Sequence, residues 1–252
     1  MTAKALITAA LLVVLLGCDR TRSVDSNIEW MVMGTTAALR WKSADGAVAD
    51  AEQVKAVFSK IERLLNAHDV ESELSKLACF EDDQVLAQCD DFVRTCYEAA
   101  FKLREQTDGM FNPRWKGPAT LDLGAIAKGY AVDVAAESVA WKGRGKMLID
   151  LGGNLKAVKG DWNVGVFGDV DETFLLKEGE ACATSARYFR GDHIKDGRDG
   201  EAIMNTLYSV TVIHPTSAML ADGLSTVCFI LGREAGDNFL QRLYPEAKVI
   251  WK

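Results

Sequence analysis

Five short strand-like stretches follow one another through the middle of the chain: Lys146–Leu151, Leu155–Lys159, Trp162–Phe167, Ala181–Thr184 and Leu207–Ile213. Helical patterns lead at the start and return near the end. Strands gathered in this way do not alternate with helices as a doubly wound parallel sheet requires, so the order predicts an α+β fold. The expected architecture is a strand-rich core, mixed or antiparallel, flanked by helices.

The helices show in the spacing of apolar residues. Asp50 is expected to open the first, with Gln53 three residues later as in a capping box. Val54, Val57, Phe58, Ile61, Leu64 and Leu65 then recur at helical spacing. A second helix is expected from Asp91 to Gln106, with Phe92, Val93, Cys96, Ala100 and Leu103 inward and Asp108-Gly109 as its stop. The second half of DLGAIAKGYAVDVAAESVAW reads as another. One more is expected from Thr216-Ser217 to Gly232, and a last one to Leu243. Glu29–Trp41 is rich in strand formers, with Gly34 as a bulge or turn, and Lys248–Trp251 closes the chain as a strand.

The N-terminus reads as an export signal. After Lys4, residues 5–17 are uncharged: too short to span a bilayer as a helix, but suited to the apolar core of a secretory signal. They end in Leu15-Leu16-Gly17-Cys18, the pattern of a bacterial lipobox with Cys18 as the lipidated residue. Residues 1–17 are therefore expected to be a lipoprotein signal peptide, 18–28 a polar lipidated tether, and 29–252 the folded domain. The expected location is a bacterial cell envelope, lipid-anchored to a membrane on its extracytoplasmic side, with Asp19 pointing to the inner membrane. No second apolar run is long enough to cross a bilayer. The formal net charge of −7, spread without a basic cluster, argues against nucleic acid as a partner. Of the other cysteines, Cys79 and Cys89 could pair in an oxidising compartment, while Cys182 and Cys228 read as small buried apolar residues.

Four constellations can carry chemistry. In Asp122-Leu123-Gly124-Ala125-Ile126-Ala127-Lys128-Gly129-Tyr130, glycines at a helix entry allow backbone N–H groups to approach an anion, and Lys128 adds charge; a plain Gly-rich turn reads equally well. Leu151-Gly152-Gly153-Asn154 follows a strand and permits close backbone approach, or simply turns. Ala183-Thr184-Ser185-Ala186 offers hydroxyls at a strand end, and His193-Ile194-Lys195-Asp196 sets an imidazole near a carboxylate, a pairing suited to proton transfer. Finally, Asp222 and Thr226 stand four apart on an otherwise apolar helix, so their oxygens share one face. A carboxylate and hydroxyl in such surroundings bond each other, cap the helix, or hold a hard cation.

Taken in order, these segments resemble the FAD:protein FMN transferase family, the ApbE-type lipoproteins. The resemblance runs through Met33-Gly34-Thr35-Thr36, Ser72-Glu73-Leu74-Ser75-Lys76-Leu77, Thr107-Asp108-Gly109-Met110-Phe111-Asn112, DLGAIAKGYAVD (122–133), LGGN (151–154), ATS (183–185), HIKDGRDG (193–200), SVTVI and SAMLADGLST (209–226). It covers nearly the whole chain after the tether. It implies a cleft for the flavin nucleotide between the strand core and the helices. Mg²⁺ would be held there by Asp222, Thr226 and the carbonyl of Ala127. Met33, Gly34, Thr35, Lys128, Gly152, Gly153, Thr184 and Ser185 would line the cleft, and His193 with Asp196 would handle the acceptor hydroxyl. The implied reaction moves FMN from FAD to a Thr or Ser of an exported acceptor flavoprotein and releases AMP. A pyrophosphatase yielding free FMN, or a flavin-binding lipoprotein without turnover, are the alternatives.

The chain departs from the family pattern in two places. Only ten residues separate Phe111 from Asp122, where the family carries a longer insertion that helps cover the nucleotide. The cleft is therefore expected to be more open. HIKDGRDG and TSA stand where the family has HIIDPRTG and TSG, so Gly197 replaces Pro, Asp199 replaces Thr and Ala186 replaces Gly. Glycine in place of proline is expected to loosen the turn beside His193.

Overall fold

The structure, a computed structural model, describes residues 24–43, 48–139, 145–166, 169–187 and 194–252. The signal peptide, Cys18 and His193 lie outside the described residues.

Strands β1 (Val24–Val32) and β2 (Thr35–Ser43) form a hairpin through Met33-Gly34. Both turn residues have positive φ, 51° and 67°, as a two-residue hairpin turn of this hand demands. Gly34 is thus the expected turn. The strand starts earlier than expected: residues 24–28, assigned by their polarity to the tether, pair with β2 from Val24↔Ser43 to Ile28↔Leu39. Backbone pairing does not need apolar side chains, so polarity alone misplaces this boundary.

Helix α1 (Val48–Leu65) begins two residues before Asp50, which therefore sits in the first turn rather than at the cap. There its charge still complements the helix dipole. Two short helices, α2 (Glu73–Leu77) and α3 (Asp82–Gln88), lead to α4 (Asp91–Gln106), whose bounds match the sequence pattern. Its buried face includes Tyr97 instead of Phe92. Tyr97 stacks on Phe101 with centroids 4.2 Å apart and donates its hydroxyl to Asp82 at 2.5 Å, whereas Phe92 meets Tyr130 edge-on.

After α5 (Ala127–Ser138) come β3 (Gly145–Leu151), β4 (Asn154–Lys159), β5 (Trp162–Val166), β6 (Asp169–Leu176), β7 (Ala181–Ala186) and β8 (Ser209–His214). Then α6 (Ala218–Leu231), α7 (Arg233–Leu243) and β9 (Lys248–Trp251) complete the chain. Seven strands form one sheet in the order β1-β2-β3-β4-β7-β8-β9, and β5-β6 form a separate ribbon. Among the described residues every strand pairing is antiparallel.

Side chains alternate across β3 and so divide the core. Met147, Ile149 and Leu151 join the large cluster beneath the helices, with Leu39, Phe58, Ile61 and Val132. Leu148 points the other way, into a small cluster with Ala157, Leu176, Cys182 and Ile213 that the β5-β6 ribbon covers. Both faces of the central strands are therefore dry. Cys79 and Cys89 are free thiols, the first exposed and the second buried, so the possible pair does not form. Cys182 and Cys228 are buried, as expected.

Candidate functional site

Helices α5 and α6 meet backbone to backbone. A Cβ at Gly129 would lie 2.2 Å from the carbonyl oxygen of Ala218 and 2.8 Å from Cβ of Asp222. Only glycine permits this approach. It brings the first turn of α5, which begins at Ala127-Lys128, against the carboxylate of Asp222.

Asp222 is 6% exposed. Its Oδ2 accepts from the Gly129 N–H at 3.0 Å, and Lys128 Nζ stands 3.9 Å away. Burial pushes its carboxyl above the ordinary value of 3.8; Lys128 and the Gly129 N–H pull it back only in part. Lys128 itself donates to the Gly124 carbonyl at 3.0 Å. One turn further along α6, Thr226 is half-buried, and its Oγ1 lies 3.1 Å from Ser185 Oγ. Ser185 also meets Ser225 at 2.9 Å, and Thr184 meets Thr211 at 2.8 Å. Ser185 is thus bonded to the metal-candidate Thr226 rather than freely facing a cleft.

Among the described residues no three His, Cys, Asp or Glu side chains gather as a metal cage. A desolvated carboxylate, a hydroxyl and a main-chain carbonyl make a different kind of set. It suits a hard divalent cation that keeps several waters and takes its remaining oxygens from a phosphate ligand. The donor chemistry therefore fits.

A second group gathers where the β1-β2 and β3-β4 hairpins end side by side. A Cβ at Gly152 (φ 61°) would lie 2.5 Å from Thr35 Oγ1, and Gly152 N–H donates to the Thr36 carbonyl. Gly153 N–H donates to Asp150 and Met33 N–H to Glu62. Asn154 Oδ1 is buried without a hydrogen-bond partner, an acceptor the fold leaves open. Helix α5 links the groups, packing on α6 and on β3 and β4.

Asp196 is placed differently. Its carboxylate accepts from the Arg198 N–H, Nε and Nη2, the last at 2.6 Å. Arg198 holds it below the ordinary carboxylate value, so it stays charged and occupied. Gly197 does not loosen this turn. Its N–H donates to Met110, its carbonyl accepts from Asn112, and a Cβ there would lie 2.3 Å from Asn112 Cβ. The short segment before Asp122 is tied down as well. Arg114 donates to the carbonyls of Ala78, Phe80, Pro118 and Thr120 and to Asp82.

Three residues beside the site, Asp133, Lys156 and His214, make bonds that the sequence patterns do not supply. Asp133 accepts from Ser217 Oγ and from the N–H groups of Ala218 and Met219, while Lys156 bonds both Asp133 and the Thr216 carbonyl. His214 Nδ1 accepts from the N–H groups of Thr216 and Ser217. The partners of Asp133 and Lys156 lie far along the chain in other elements, where no local pattern announces them, whereas His214 bonds the turn directly after its own strand.

A model of the ApbE family matches residues 114–251. The FAD:protein FMN transferase of Klebsiella pneumoniae (strain 342) is 40% identical over 129 residues, 46% of this chain and 40% of that protein. The chain thus spans well under half the length of that relative in the match. A protein of the same name from Haemophilus influenzae is 24% identical over 91% of this chain and 87% of its own. Among solved structures, the apo flavinyl transferase ApbE of Pseudomonas stutzeri superposes with a TM-score of 0.75 at 20% identity, covering 91% of both chains. The ApbE protein of Thermotoga maritima gives 0.76 at 22% identity over 90% of this chain and 94% of that one. At these identities the likeness is one of fold.

Proposed function

Because this chain belongs to the ApbE family, we propose that it is a Mg²⁺-dependent transferase moving FMN from FAD to a Thr or Ser hydroxyl of an exported acceptor flavoprotein. The observation that carries this reading is Asp222: a carboxylate 6% exposed, raised in pKa, with one N–H donor and a lysine at 3.9 Å. A charge so weakly compensated is costly without a cation. Asp222, Thr226 and the Ala127 carbonyl would hold Mg²⁺, which when bound neutralises charge on the pyrophosphate. Ser185, bonded to Thr226 and Ser225, orients the threonine hydroxyl. Lys128 adds positive charge at the helix entry. The paired hairpin ends, with Met33, Gly34, Thr35, Gly152 and Gly153, would form the facing wall of the flavin-nucleotide cleft, whereas the Thr184 hydroxyl, bonded to Thr211, lies on the sheet face away from Ser185 and α6.

In the reaction, the acceptor oxygen bonds to the FMN-side phosphorus as the bond to the AMP oxygen breaks. The hydroxyl proton would pass to His193. Asp196, already occupied by Arg198, would hold the turn that follows His193 rather than exchange a proton. Cys18 would carry the lipid anchor, placing the enzyme on the extracytoplasmic side of the inner membrane.

The short ten-residue segment before Asp122 favours one further reading, a pyrophosphatase that releases free FMN because the nucleotide is less covered. The test uses the protein from Asp19 onward with FAD, Mg²⁺ and an acceptor domain, and follows AMP release and acceptor mass against an EDTA control. AMP together with a flavin-bearing acceptor is the expected result. AMP with free FMN alone supports hydrolysis instead. Bound FAD without AMP overturns both and leaves a flavin-binding lipoprotein.

A further inference from the structure

The N-terminus of α6 is capped from another helix. The Asp133 carboxylate accepts from the N–H groups of Ala218 and Met219 and from the Ser217 hydroxyl, each at 2.9 Å. Ser217 Oγ in turn accepts from Leu220 N–H at 3.1 Å, and the Ser217 N–H donates to His214 Nδ1 at 3.0 Å. The four orphan donors that a helix start presents are therefore all satisfied. Lys156 of β4 completes the joint, 2.6 Å from both Asp133 and the Thr216 carbonyl, with only 14% of either ionic side chain exposed.

The joint is in register with the candidate cation site. Gly129 and Asp133 are four apart on α5, so they lie one turn apart on the same face. Ala218 and Asp222 stand in the same relation on α6. Asp133 grips the α6 start while Gly129 touches both Ala218 and Asp222, which makes an antiparallel ladder of two rungs. A helix turn advances 5.4 Å, so a slip at the first rung is carried to the second.

We infer that Asp133 is a positioning residue for the cation site: by capping α6 from α5 it fixes Asp222 against the Ala127–Gly129 turn. This assignment rests on reading Asp222 as a cation ligand. Lys156 supports it by locking Asp133 to the sheet. The cap stabilises the fold too, as caps do, but a cap that only stabilises would leave the cation affinity of the folded protein unchanged.

The test titrates Mn²⁺ alone into the protein and reads free Mn²⁺ by electron paramagnetic resonance, with circular dichroism to count only folded molecules. Asp133→Asn keeps the size of the side chain and removes its charge and its grip on Lys156. Its Mn²⁺ dissociation constant is expected to rise by about tenfold, the scale seen when residues supporting metal ligands are removed. Lys156→Met, which leaves the cap in place, is expected to give a smaller rise in the same direction. It keeps the question answerable should Asp133→Asn fail to fold. An unchanged dissociation constant in a folded variant, with only a lower melting temperature, would overturn the positioning role while leaving the cation site standing. Absence of Mn²⁺ binding in the parent, unaltered by Asp222→Ala, would instead overturn the site itself.

Discussion

Asp222 and Asp196 are both buried aspartates, at 6% and 8% exposure, and the fold treats them in opposite ways. Asp196 is met by three donors from Arg198 and held below its ordinary pKa. Asp222 receives one N–H at hydrogen-bonding distance and is pushed above it by burial. The glycines beside them repeat the contrast. Gly197 closes a turn onto Asn112, while Gly129 lets a second helix approach Asp222. One carboxylate is spent on shaping its own loop; the other is kept in reserve, and a reserved charge inside an apolar helix pair is where a ligand belongs.

The largest test of this contrast is Asp222→Asn. Divalent-dependent FMN transfer is expected to fall by about 10³-fold, the scale of losing a main electrostatic group. The rise in melting temperature on adding Mg²⁺ should vanish as well. At neutral pH and without a cation, however, the variant should be at least as stable as the parent. A raised folded pKa means the unfolded state binds fewer protons above 3.8, so this carboxylate's contribution is present at low pH and lost as pH rises through its folded pKa. A cation-free variant markedly less stable than the parent would end the idea of a charge in reserve.

A paired substitution comes next in size. Gly129→Ala and Gly197→Ala each force a Cβ into backbone or side-chain contact, at 2.2 Å and 2.3 Å. Each should cost about 1–3 kcal/mol in chemical denaturation, as overpacking does. Only Gly129→Ala should also raise the Mg²⁺ concentration for half-maximal rate. An equal rise in both would erase the distinction between the two regions.

Asp196→Asn should have the smallest effect on turnover, within about fivefold, because the side chain is occupied by Arg198, whose half-exposed side chain is free to turn to solvent once the pair is lost. Its trace should appear in pH-dependent stability, with the sign opposite to that of Asp222. A lowered folded pKa gives stability present above the unfolded value of 3.8 and lost as pH falls through the folded one. Thermal melts below about pH 5 should therefore lose part of their slope in the variant. A collapse of turnover would return Asp196 to the proton-handling role that the HIKD spacing suggests.

Residue patterns located most of the scaffold. Helix α4 ended where Asp108-Gly109 said it would, and α6 lay between Ser217 and Gly232 because cap residues are local signals. Strand β6 was missed because its first half, Asp169-Val170-Asp171-Glu172, is mostly acidic. Helices α2 and α3 are too short for a 3.6-residue period to register. In the site, the spacing of Asp222 and Thr226 was visible because it lies within one helix. The cap from Asp133, 85 residues from its donor Ala218, was not, since sequence separation conceals which helix start a carboxylate will meet. Likewise a substitution at Gly197 suggested slack, and only the contact with Asn112 shows a tight joint.

Strand β1 has a consequence of another kind. Nine extended residues at about 3.3 Å each reach up to about 30 Å. One end, Val24, lies six residues after Cys18; the other delivers the Met33-Gly34 turn beside Gly152. Anchored as proposed, the protein would set the edge strand of its sheet between the lipid and the reactive end. Its clients would then be domains that stand out from the membrane at a matching height, and lengthening the segment between Cys18 and Val24 would change which of them it can reach without touching the chemistry.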